Sequence, residues 1–363
     1  MSSRVMIVMP CLNEEKNMAA TCHSLGFGLG ELSVDRTTIL IIVDNNSTDN
    51  TGQIARKIQL SSPKDHVFII NENEQGFIPA RSAGNLFAAS LCEKINVKTE
   101  DILILQVDAD TIYPNTYVDS MRFAAESYGK NFMVEACVDY TPEFRQNNTR
   151  YIDLLEQTDA RYQRLYETIH DYVVDDKVVA YWLSDYIIWG GHTREFTLYG
   201  DEIFAETTRL FLRGQIKGAA KRNVGSLKAF HSERKVIENP SMHFATAGFP
   251  RETAWDNFWI EKKHLINLED IDETIFNEAI FFRILHLIAL FYILPIHVDR
   301  TLANGITLID NELSKYLQDL IPTRSINELQ DQPGLFLSDV FTIIDKNPQL
   351  MKEKVDDYLK TKT

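Results

Sequence analysis

The stretch that most constrains the fold is residues 102–114, where an apolar run ends in two carboxylates, Asp108 and Asp110, and closes at Pro114. A run this short is typical of a buried strand rather than a helix. In an open α/β sheet, ligands bind at the carboxyl ends of strands, and residues two apart in an extended chain point to the same side. Paired carboxylates repel unless a cation lies between them, and such oxygen ligands suit Mg²⁺ or Mn²⁺. The alternative is a surface turn with two solvated acids, because an isolated Asp-x-Asp often arises by chance.

Composition narrows the class of protein. The chain has 363 residues, 44% of them hydrophobic, and a net charge of −15. This acidity argues against a nucleic-acid partner, since proteins that bind nucleic acid are usually basic. The four cysteines are scattered without a Cys-x-x-Cys pair, and the first residues lack the charged start and apolar core of a signal peptide. We therefore expect a cytoplasmic globular protein.

The first third of the chain alternates short apolar runs with segments of helical spacing. The runs at residues 5–9, 39–43, 67–70 and 102–107 predict four strands. Strands that alternate with helices indicate a mostly parallel sheet with right-handed crossovers. Asn13 is expected to cap the first helix, Ser47 or Thr48 the second, and Pro79 to begin the third.

Polar residues follow several of these predicted strands, so they should meet at one edge of the sheet, where this architecture binds nucleotides. Asn13 and Glu14 follow the first strand, Asp44 ends the second, and Asp108 follows the fourth. The chain contains neither Gly-x-Gly-x-x-Gly nor a Walker A motif, so a dinucleotide fold and a P-loop are both unsupported. Phosphates at this edge would need a cation and Arg81 instead of a glycine cradle.

Four stretches together resemble the family-two glycosyltransferases of the GT-A fold: residues 8–15, 43–51, 80–85 and 108–110. They follow the family's order and spacing over about the first 115 residues. The resemblance implies an inverting transfer of a sugar from a UDP- or GDP-type donor to a hydroxyl acceptor, with Mn²⁺ or Mg²⁺ as cofactor. One departure is Ser82, where many relatives have Asn.

Site residues are carried over by position. The resemblance implies donor contacts at Pro10, Asn13, Glu14, Asp44, Asn46, Arg81, Asn85 and Asp108. It implies metal contacts at Asp108, Asp110 and His231, the last in a terminal element where Arg234 and Lys235 would counter phosphate charge or be solvated. The alternatives for His231 are a contact to phosphate and a structural role, and a lone histidine is more often structural.

The catalytic base is where the chain departs most from the family. Family members carry Glu-Asp at the start of a helix, with the Asp as base, whereas this chain has Glu206-Thr207. Inverting transfer needs a carboxylate to take the proton of the acceptor hydroxyl, and threonine cannot do this. Glu206 is therefore the first candidate, and Asp201 the second, ahead of Glu202. For all three the alternative role is a favourable interaction of the negative charge with the dipole at the N-terminus of the helix. A further alternative is that the acceptor chemistry has been lost.

The middle of the chain is expected to contact the acceptor. Residues 140–176 permit one long amphipathic helix, and residues 181–188 are strand-like. Gly190, Gly191 and His192 follow, and two glycines permit a close backbone approach to an acceptor or a tight turn.

Helical patterns replace strands after residue 239. The apolar run at residues 279–296 contains Arg283 and His286 and is expected to stop at Pro295. A core or interface helix is favoured over a membrane span, which needs about 20 apolar residues. A peripheral membrane contact or a homodimer through this helix remains the alternative, because family relatives often use lipid-linked acceptors.

The sequence therefore predicts an α/β GT-A domain over residues 1–235 and a helical region over 236–363. Within the first domain, residues 1–115 form the nucleotide-sugar half and 116–235 the acceptor half. The acceptor is a sugar, glycan, small molecule or lipid-linked hydroxyl, and the location is the cytoplasm or the inner face of the membrane. Two rivals remain: a nucleotidyltransferase, and a non-catalytic nucleotide-sugar-binding scaffold, which Thr207 motivates.

Overall fold

The computed structural model describes residues 3–30, 33–163, 170–197, 200–249, 251–262, 268, 273–303 and 312–360. The described chain falls into two compact units. The first comprises Met1–Thr141, Val174–Arg194 and Glu206–Ser232, and the second Pro142–Val173, Glu195–Ala205 and Glu233–Thr363. The second unit thus takes in two segments that lie before the predicted boundary at residue 235.

The first unit is built on one seven-stranded sheet. Its strands are β1 (Arg4–Cys11), β2 (Thr38–Asp44), β3 (Val67–Asn71), β4 (Ile102–Val107), β5 (Phe132–Asp139), β6 (Val178–Trp182) and β7 (Ala220–Phe230). The strand order is β3-β2-β1-β4-β6-β5-β7. Strand β6 pairs antiparallel with β4 and β5, and the remaining neighbours pair in parallel. The predicted α/β architecture, a mostly parallel sheet flanked by helices, is confirmed.

Six helices of this unit accompany the sheet: α1 (Met18–Ser24), α2 (Thr51–Leu60), α3 (Phe77–Ile95), α4 (Tyr117–Tyr128), α7 (Leu183–Ile188) and α8 (Glu206–Gln215). Strands β1, β2 and β4 are buried along almost their whole length, as their continuous apolar runs predict for a sheet covered on both faces. The chain leaves β1 toward β2 on one side and later returns to β4 on the other. The β1/β4 boundary is therefore the switch point at which an open sheet forms a crevice.

Helix α3 lies close against this switch point because Gly84 has no side chain. A Cβ atom at Gly84 would lie 2.4 Å from Val8 Cγ1 on β1 and 3.1 Å from Val43 Cγ2 on β2. Only glycine lets the helix backbone approach the two strands so closely. This packing fixes the depth at which Arg81, one turn earlier in α3, reaches the carboxyl ends of the strands.

Several local predictions were wrong. Helix α1 begins only at Met18, and Asn13 adopts a left-handed conformation (φ 57°) in the preceding turn. Helix α2 begins at Thr51, after Ser47 and Thr48, and its first amide donates to Asp49 Oδ1 at 2.9 Å. In each case the polar residues expected as caps instead bind the neighbouring loop. Helix α3 begins at Phe77, two residues before Pro79.

The middle of the chain also differs from its pattern. Among the described residues, the single helix expected over residues 140–176 divides into α5 (Pro142–Asn147) and α6 (Thr149–Gln163), and residues 170–177 are irregular. Residues 164–169 of that range lie outside the described residues. The strand-like run divides into β6 and the short helix α7, which begins at Leu183. A run of apolar residues this short does not by itself distinguish a strand from a buried helical turn.

The second unit is helical. Besides α5 and α6 it contains α9 (Arg234–Glu238), α10 (Pro240–Ala245), α11 (Thr253–Lys262), α12 (Glu273–Ile288), α13 (Leu294–Leu302), α14 (Glu312–Leu320), α15 (Ile326–Asp331), α16 (Gly334–Lys346) and α17 (Pro348–Lys360). The helical region predicted for the end of the chain is confirmed.

The apolar run of this unit does not stop at Pro295. A π-helical turn at Ala289–Ile293 links α12 directly to α13, which carries Pro295 in its first turn. Proline lacks the amide donor of a regular helix, and it lies here just after the π-helical turn, where the regular hydrogen-bond pattern is already interrupted. Helix Phe276–Leu302 is long and apolar enough to cross a membrane, but 78% of its most apolar window is buried inside the structure. Burial of this extent is also usual in core helices, so the length and composition are weak grounds for a membrane span.

Candidate active site

The loops that follow β1 and β2 bind each other through side chains. The amide of Asn13 donates to Ser47 Oγ at 3.1 Å, and its Oδ1 accepts from the amide of Thr48 at 2.8 Å. The amide of Glu14 donates to Thr51 Oγ1 at 2.8 Å. These exchanges explain why the polar residues of both loops are not helix caps. They form a rigid rim at the carboxyl ends of the two strands.

The loop after β2 is in turn fixed to the loop after β3. Asn45 is 3% exposed, and its Oδ1 accepts from the amide of Gly76 at 2.8 Å. Asn46, in a left-handed conformation (φ 64°), donates from Nδ2 to Asn73 O at 2.6 Å. Asp44 Oδ1 accepts from the amide of Ser47 at 3.0 Å. Pro10 lies in register beside Val43, so the predicted donor residues of β1 and β2 line one edge.

Asp108 occupies the first position after β4. Its amide donates to the hydroxyl of Tyr113 at 3.0 Å, and that hydroxyl donates to Lys177 O at 2.8 Å. The Tyr113 ring is buried, whereas the Asp108 side chain is 28% exposed. The backbone of Asp108 is thus fixed from the protein interior while its carboxylate stays accessible.

Arg81 is the centre of the charge network at this edge. Its side chain is 1% exposed, and its Nη2 lies 2.7 Å from Asp108 Oδ1. Its Nη1 donates to Asp176 Oδ2 and to Glu206 Oε1. Burial alone would lower the pKa of Arg81, but the three carboxylates raise it well above its ordinary value. The guanidinium therefore holds together carboxylates from three other segments of chain.

Glu206, the first candidate for the base, is the most deeply buried of these carboxylates. It begins helix α8 and its side chain is 4% exposed. Burial raises the pKa of Glu206 and the charge of Asp176 adds to this, while Arg81 opposes it. Glu206 is thus both shielded from solvent and paired with a cation.

Thr207, which stands where the family carries its base, is fully buried and turned toward the sheet. Gln106 of β4 donates from Nε2 to Thr207 Oγ1 at 2.8 Å and to Asp176 O at 2.9 Å. One amide group therefore joins the start of α8 to the segment just before β6. Tyr181 completes the contacts of this amide, since its hydroxyl lies 3.1 Å from Gln106 Oε1.

Asp176 is a residue that sequence reasoning missed. It belongs to the run Asp175-Asp176-Lys177, which directly precedes β6, and the helix that the pattern permits over residues 140–176 includes both acids. Lys177 Nζ lies 2.7 Å from Asp175 Oδ1 and 3.9 Å from Asp176 Oδ1. Burial lowers the pKa of Lys177, but the charges of Asp175, Asp176 and Asp108 raise it more strongly. The sequence pattern that could have identified Asp176 as a site residue is a pair of adjacent acids and a lysine directly before a buried strand.

Asp110 and His231 are brought to the same place by backbone pairing. Ile112 and Phe230 form an antiparallel bridge, so Thr111 lies opposite His231 in register. The ring of His231 packs against Tyr140, with centroids 4.7 Å apart. His231 is thus held next to the segment that carries Asp110, although the two residues are far apart in sequence.

These residues fit a divalent cation. Across the described part of the chain, no group of three or more His, Cys, Asp or Glu side chains is arranged as a ready-made metal cage. Mg²⁺ and Mn²⁺ do not require one, because Mg²⁺ in particular is usually held by one or two carboxylates together with substrate phosphates. Asp108 offers an accessible hard-oxygen ligand directly after a strand, and Asp110 follows two residues later.

Gly190, Gly191 and His192 form a turn held by helix α8. Both glycines have positive φ (88° and 67°), which explains their presence. Arg213 donates from Nε to Trp189 O at 2.9 Å and also binds Gly191 O, and Arg209 donates to Thr193 O at 2.9 Å. The helix that begins with Glu206 therefore also fixes the predicted acceptor turn.

His192 is 6% exposed, and neither ring nitrogen has a hydrogen-bond partner among the described residues. Its amide donates to the hydroxyl of Tyr186 at 3.0 Å. Burial lowers the pKa of His192 well below its ordinary value, and the charges of Arg81, Arg213 and Arg209 lower it further. The imidazole is therefore neutral.

The remaining predicted residues lie elsewhere. Asn85 is fully buried on α3, where its Nδ2 donates to Arg81 O at 2.9 Å. Asp201 and Glu202 belong to the second unit, where the amide of Thr197 donates to Asp201 O at 2.8 Å and Phe196 pairs with Glu202. Glu206 and Asp201, the two candidates for the base, thus belong to different units.

Comparison with known proteins finds a family model that matches part of the chain. Residues 6–182 match the sequence model of the family described as glycosyl transferase family 2. Succinoglycan biosynthesis protein ExoA of Rhizobium meliloti (strain 1021) is 30% identical over 136 residues, which are 37% of this chain and 36% of that protein. The match therefore spans little more than a third of the curated relative.

Solved structures show distant likeness. A mannosyltransferase from Pyrobaculum calidifontis, in complex with GDP-Man and Mn²⁺, is 11% identical with a TM-score of 0.49, covering 96% of this chain and 88% of that one. Glucosyl-3-phosphoglycerate synthase from Mycobacterium tuberculosis, in complex with Mn²⁺, UDP-glucose and phosphoglyceric acid, is 17% identical with a TM-score of 0.37, covering 69% and 81%. Likeness at this level carries no weight for the activity of this chain.

Proposed function

Residues 6–182 form a glycosyl transferase family 2 domain, and from this premise we propose that the chain is an inverting glycosyltransferase. It moves a sugar from a UDP- or GDP-type nucleotide sugar to a hydroxyl acceptor, with Mn²⁺ or Mg²⁺. The observation that carries the proposal is the position of Asp108: an accessible carboxylate, fixed through its backbone, at the carboxyl end of the strand beside the switch point.

The donor nucleotide lies along the rim formed by the loops after β1 and β2. Pro10, Asn13 and Glu14 contact it from one side, and Asp44 and Asn46 from the other. The bonds between these loops support this role, because a prearranged rim loses little conformational entropy when the nucleotide binds.

Asp108, Asp110 and His231 would hold the divalent cation. Bound there, it would supply positive charge against the diphosphate leaving group, and electrostatic stabilisation of this kind usually contributes more to catalysis than any other effect. Arg81 keeps Asp108 in place from the protein side, at 2.7 Å. The antiparallel bridge between Ile112 and Phe230 sets the spacing of Asp110 and His231.

The acceptor hydroxyl binds beside Gly190, Gly191 and His192. The positive φ of both glycines brings backbone close to the acceptor, and the neutral imidazole of His192 offers one donor and one acceptor. A carboxylate of the Arg81 cluster takes the hydroxyl proton. Glu206 was first expected in this role, and its position in the cluster is compatible with it.

The same assignment implies a place in the cell. We propose a cytoplasmic enzyme, or one held at the inner face of the membrane. Residues 279–296 were the expected contact to lipid or to a second copy, but most of their side chains are buried, so they offer little surface for it. The three buried cysteines, Cys11, Cys22 and Cys92, are free thiols, as a reducing compartment permits.

A thermal-shift panel of nucleoside diphosphates and their sugars, with and without Mn²⁺, tests the proposal. One nucleotide series should raise the unfolding temperature selectively, and more with Mn²⁺, because a ligand that binds the folded state stabilises it. Asp110→Asn should abolish the Mn²⁺-dependent part. Asp101→Asn is the matched control, because Asp101 lies at the opposite end of β4.

Hydrolysis of the donor, in which water accepts the sugar and nucleoside diphosphate is released, then distinguishes an enzyme from a non-catalytic scaffold. Slow release with Mn²⁺ that disappears in Asp110→Asn supports the transferase. Selective donor binding without any release would favour the scaffold. If no nucleotide raised the unfolding temperature, the proposal would be wrong.

A further inference from the structure

The structure brings to the candidate active site a carboxylate that the family pattern does not provide. Resting on the proposed transferase function, we infer that Asp176, rather than Glu206, accepts the proton of the acceptor hydroxyl. The grounds are the accessibility of Asp176, its location, the charges around it and the chemistry of transfer.

A general base must touch the hydroxyl that it deprotonates. Glu206 and Asp176 bind the same nitrogen of Arg81, but their side chains are 4% and 34% exposed. Asp108 is also accessible, but the proposed function commits it to the cation. Of the three carboxylates around Arg81, Asp176 is therefore the exposed one that the proposed function does not assign to the cation.

The location of Asp176 compensates for Thr207, which stands where the family carries an aspartate. Gln106 donates from one nitrogen to Thr207 Oγ1 at 2.8 Å and to Asp176 O at 2.9 Å. Asp176 and Thr207 thus lie on two sides of a single amide. The carboxylate absent from the start of α8 is supplied by the segment before β6, within the same unit.

The surrounding charges keep Asp176 in place. Arg81 Nη1 binds its Oδ2, while Lys177 Nζ lies 3.9 Å from its Oδ1 and is itself held by Asp175 at 2.7 Å. Asp175 therefore restrains the lysine, and Asp176 faces the guanidinium. Glu206 acts as a positioning residue, because its buried carboxylate binds the same Arg81 nitrogen as Asp176 and so helps to hold the guanidinium in place.

The chemical step balances with these groups. The acceptor oxygen forms a bond to the anomeric carbon on the face opposite the diphosphate, and its proton passes to the Asp176 carboxylate. The bond between the anomeric carbon and the diphosphate oxygen breaks, and its electron pair leaves with the diphosphate. Asp176 then returns the proton to solvent.

The experiment measures nucleoside diphosphate release by the full chain, with Mn²⁺ and the donor that the thermal-shift panel selects. Asp176→Asn should lower the rate by about 100-fold or more, the usual loss of a general base, while the donor-induced thermal shift is kept. Asp101→Asn is the control, because it makes the same change at an aspartate that lies at the opposite end of β4 from the site. It should stay within about threefold of the native rate.

The pH profile separates a base from a structural carboxylate. The native rate should fall on the acid side as the carboxylate becomes protonated, and Asp176→Asn should lose this dependence, whereas Glu206→Gln should keep it. Asp176→Glu restores a carboxylate and should recover part of the rate. Asp176→Glu also tests the inference if Asp176→Asn does not fold. A folded Asp176→Glu that shows none of the native rate of nucleoside diphosphate release would count against the inference.

The inference is overturned if Asp176→Asn turns over like Asp101→Asn, or if Glu206→Gln alone removes the acid-side dependence. In both cases donor binding and native turnover persist, so the proposed function survives. If the native chain neither binds nor cleaves any donor, the proposed function fails and the inference fails with it.

Discussion

Ile112 and Phe230 exchange both of their backbone hydrogen bonds, at 2.8 and 2.9 Å. This antiparallel pair joins the segment after β4 to the end of β7, although β6 and β5 lie between those strands in the sheet. The chain that carries Asp110 therefore crosses the carboxyl edge of the sheet and ends beside His231. The proposed metal ligands depend on this crossing.

His231→Ala should weaken binding of Mn²⁺ in the presence of nucleoside diphosphate. We expect the apparent dissociation constant for Mn²⁺ to rise about tenfold or more, because loss of a residue that holds or orients the metal typically costs this much. A direct Mn²⁺ titration measures it. His66→Ala is the control, since His66 lies before β3, where its Nδ1 is 3.0 Å from Thr38 O. Superimposable titrations of native chain and His231→Ala would remove His231 from the metal site.

Arg81→Gln should destabilise the fold by about 3–5 kcal/mol, the usual cost of removing one partner from a buried ion pair. The reason is that Glu206, 4% exposed, loses the cation that compensates its burial. The double variant Arg81→Gln with Glu206→Gln should recover part of this loss. Urea unfolding of the native chain, the two single variants and the double variant measures the coupling, and strictly additive losses would show that the two residues are not coupled.

Gly84→Ala should lower the free energy of unfolding by about 1–3 kcal/mol, the usual cost of overpacking. The new Cβ would lie 2.4 Å from Val8 Cγ1 and would push α3 away from β1. Gly225→Ala is the matched control, because a Cβ there meets no atom within 4 Å. Equal unfolding temperatures for the two variants would contradict the close approach.

His286→Leu should reduce the acid sensitivity of the fold. Burial lowers the pKa of His286 to about 3, and the charges of Arg251 and Arg283 add to this. The neutral form is therefore the folded form, so its contribution is complete above the ordinary pKa of 6.5 and is lost as the pH falls toward about 3. The slope of unfolding free energy against pH should decrease by up to about 1.4 kcal/mol per pH unit in that window. An unchanged slope in urea unfolding at several pH values would contradict this.

The sequence alone determined the first four strands of the sheet and the edge at which polar residues gather. Uninterrupted apolar runs form strands because both faces are buried, and parallel strands place their carboxyl ends together whatever the helices do. For this reason the positions of Asp44 and Asp108 after buried strands were predictable. The caps were not: Asn13 and Ser47 bind across two loops, and a contact between loops leaves no local pattern.

Only the tertiary structure decided which carboxylates share a site. Asp108, Asp176 and Glu206 come from three distant segments, and no periodicity links them. What links them is the guanidinium of Arg81, which the close packing of Gly84 puts in place. Its three buried or half-buried carboxylate partners must converge on it to compensate the positive charge of the guanidinium. Sequence pattern reports on burial along one element, whereas a charge network is a property of several elements after they have packed.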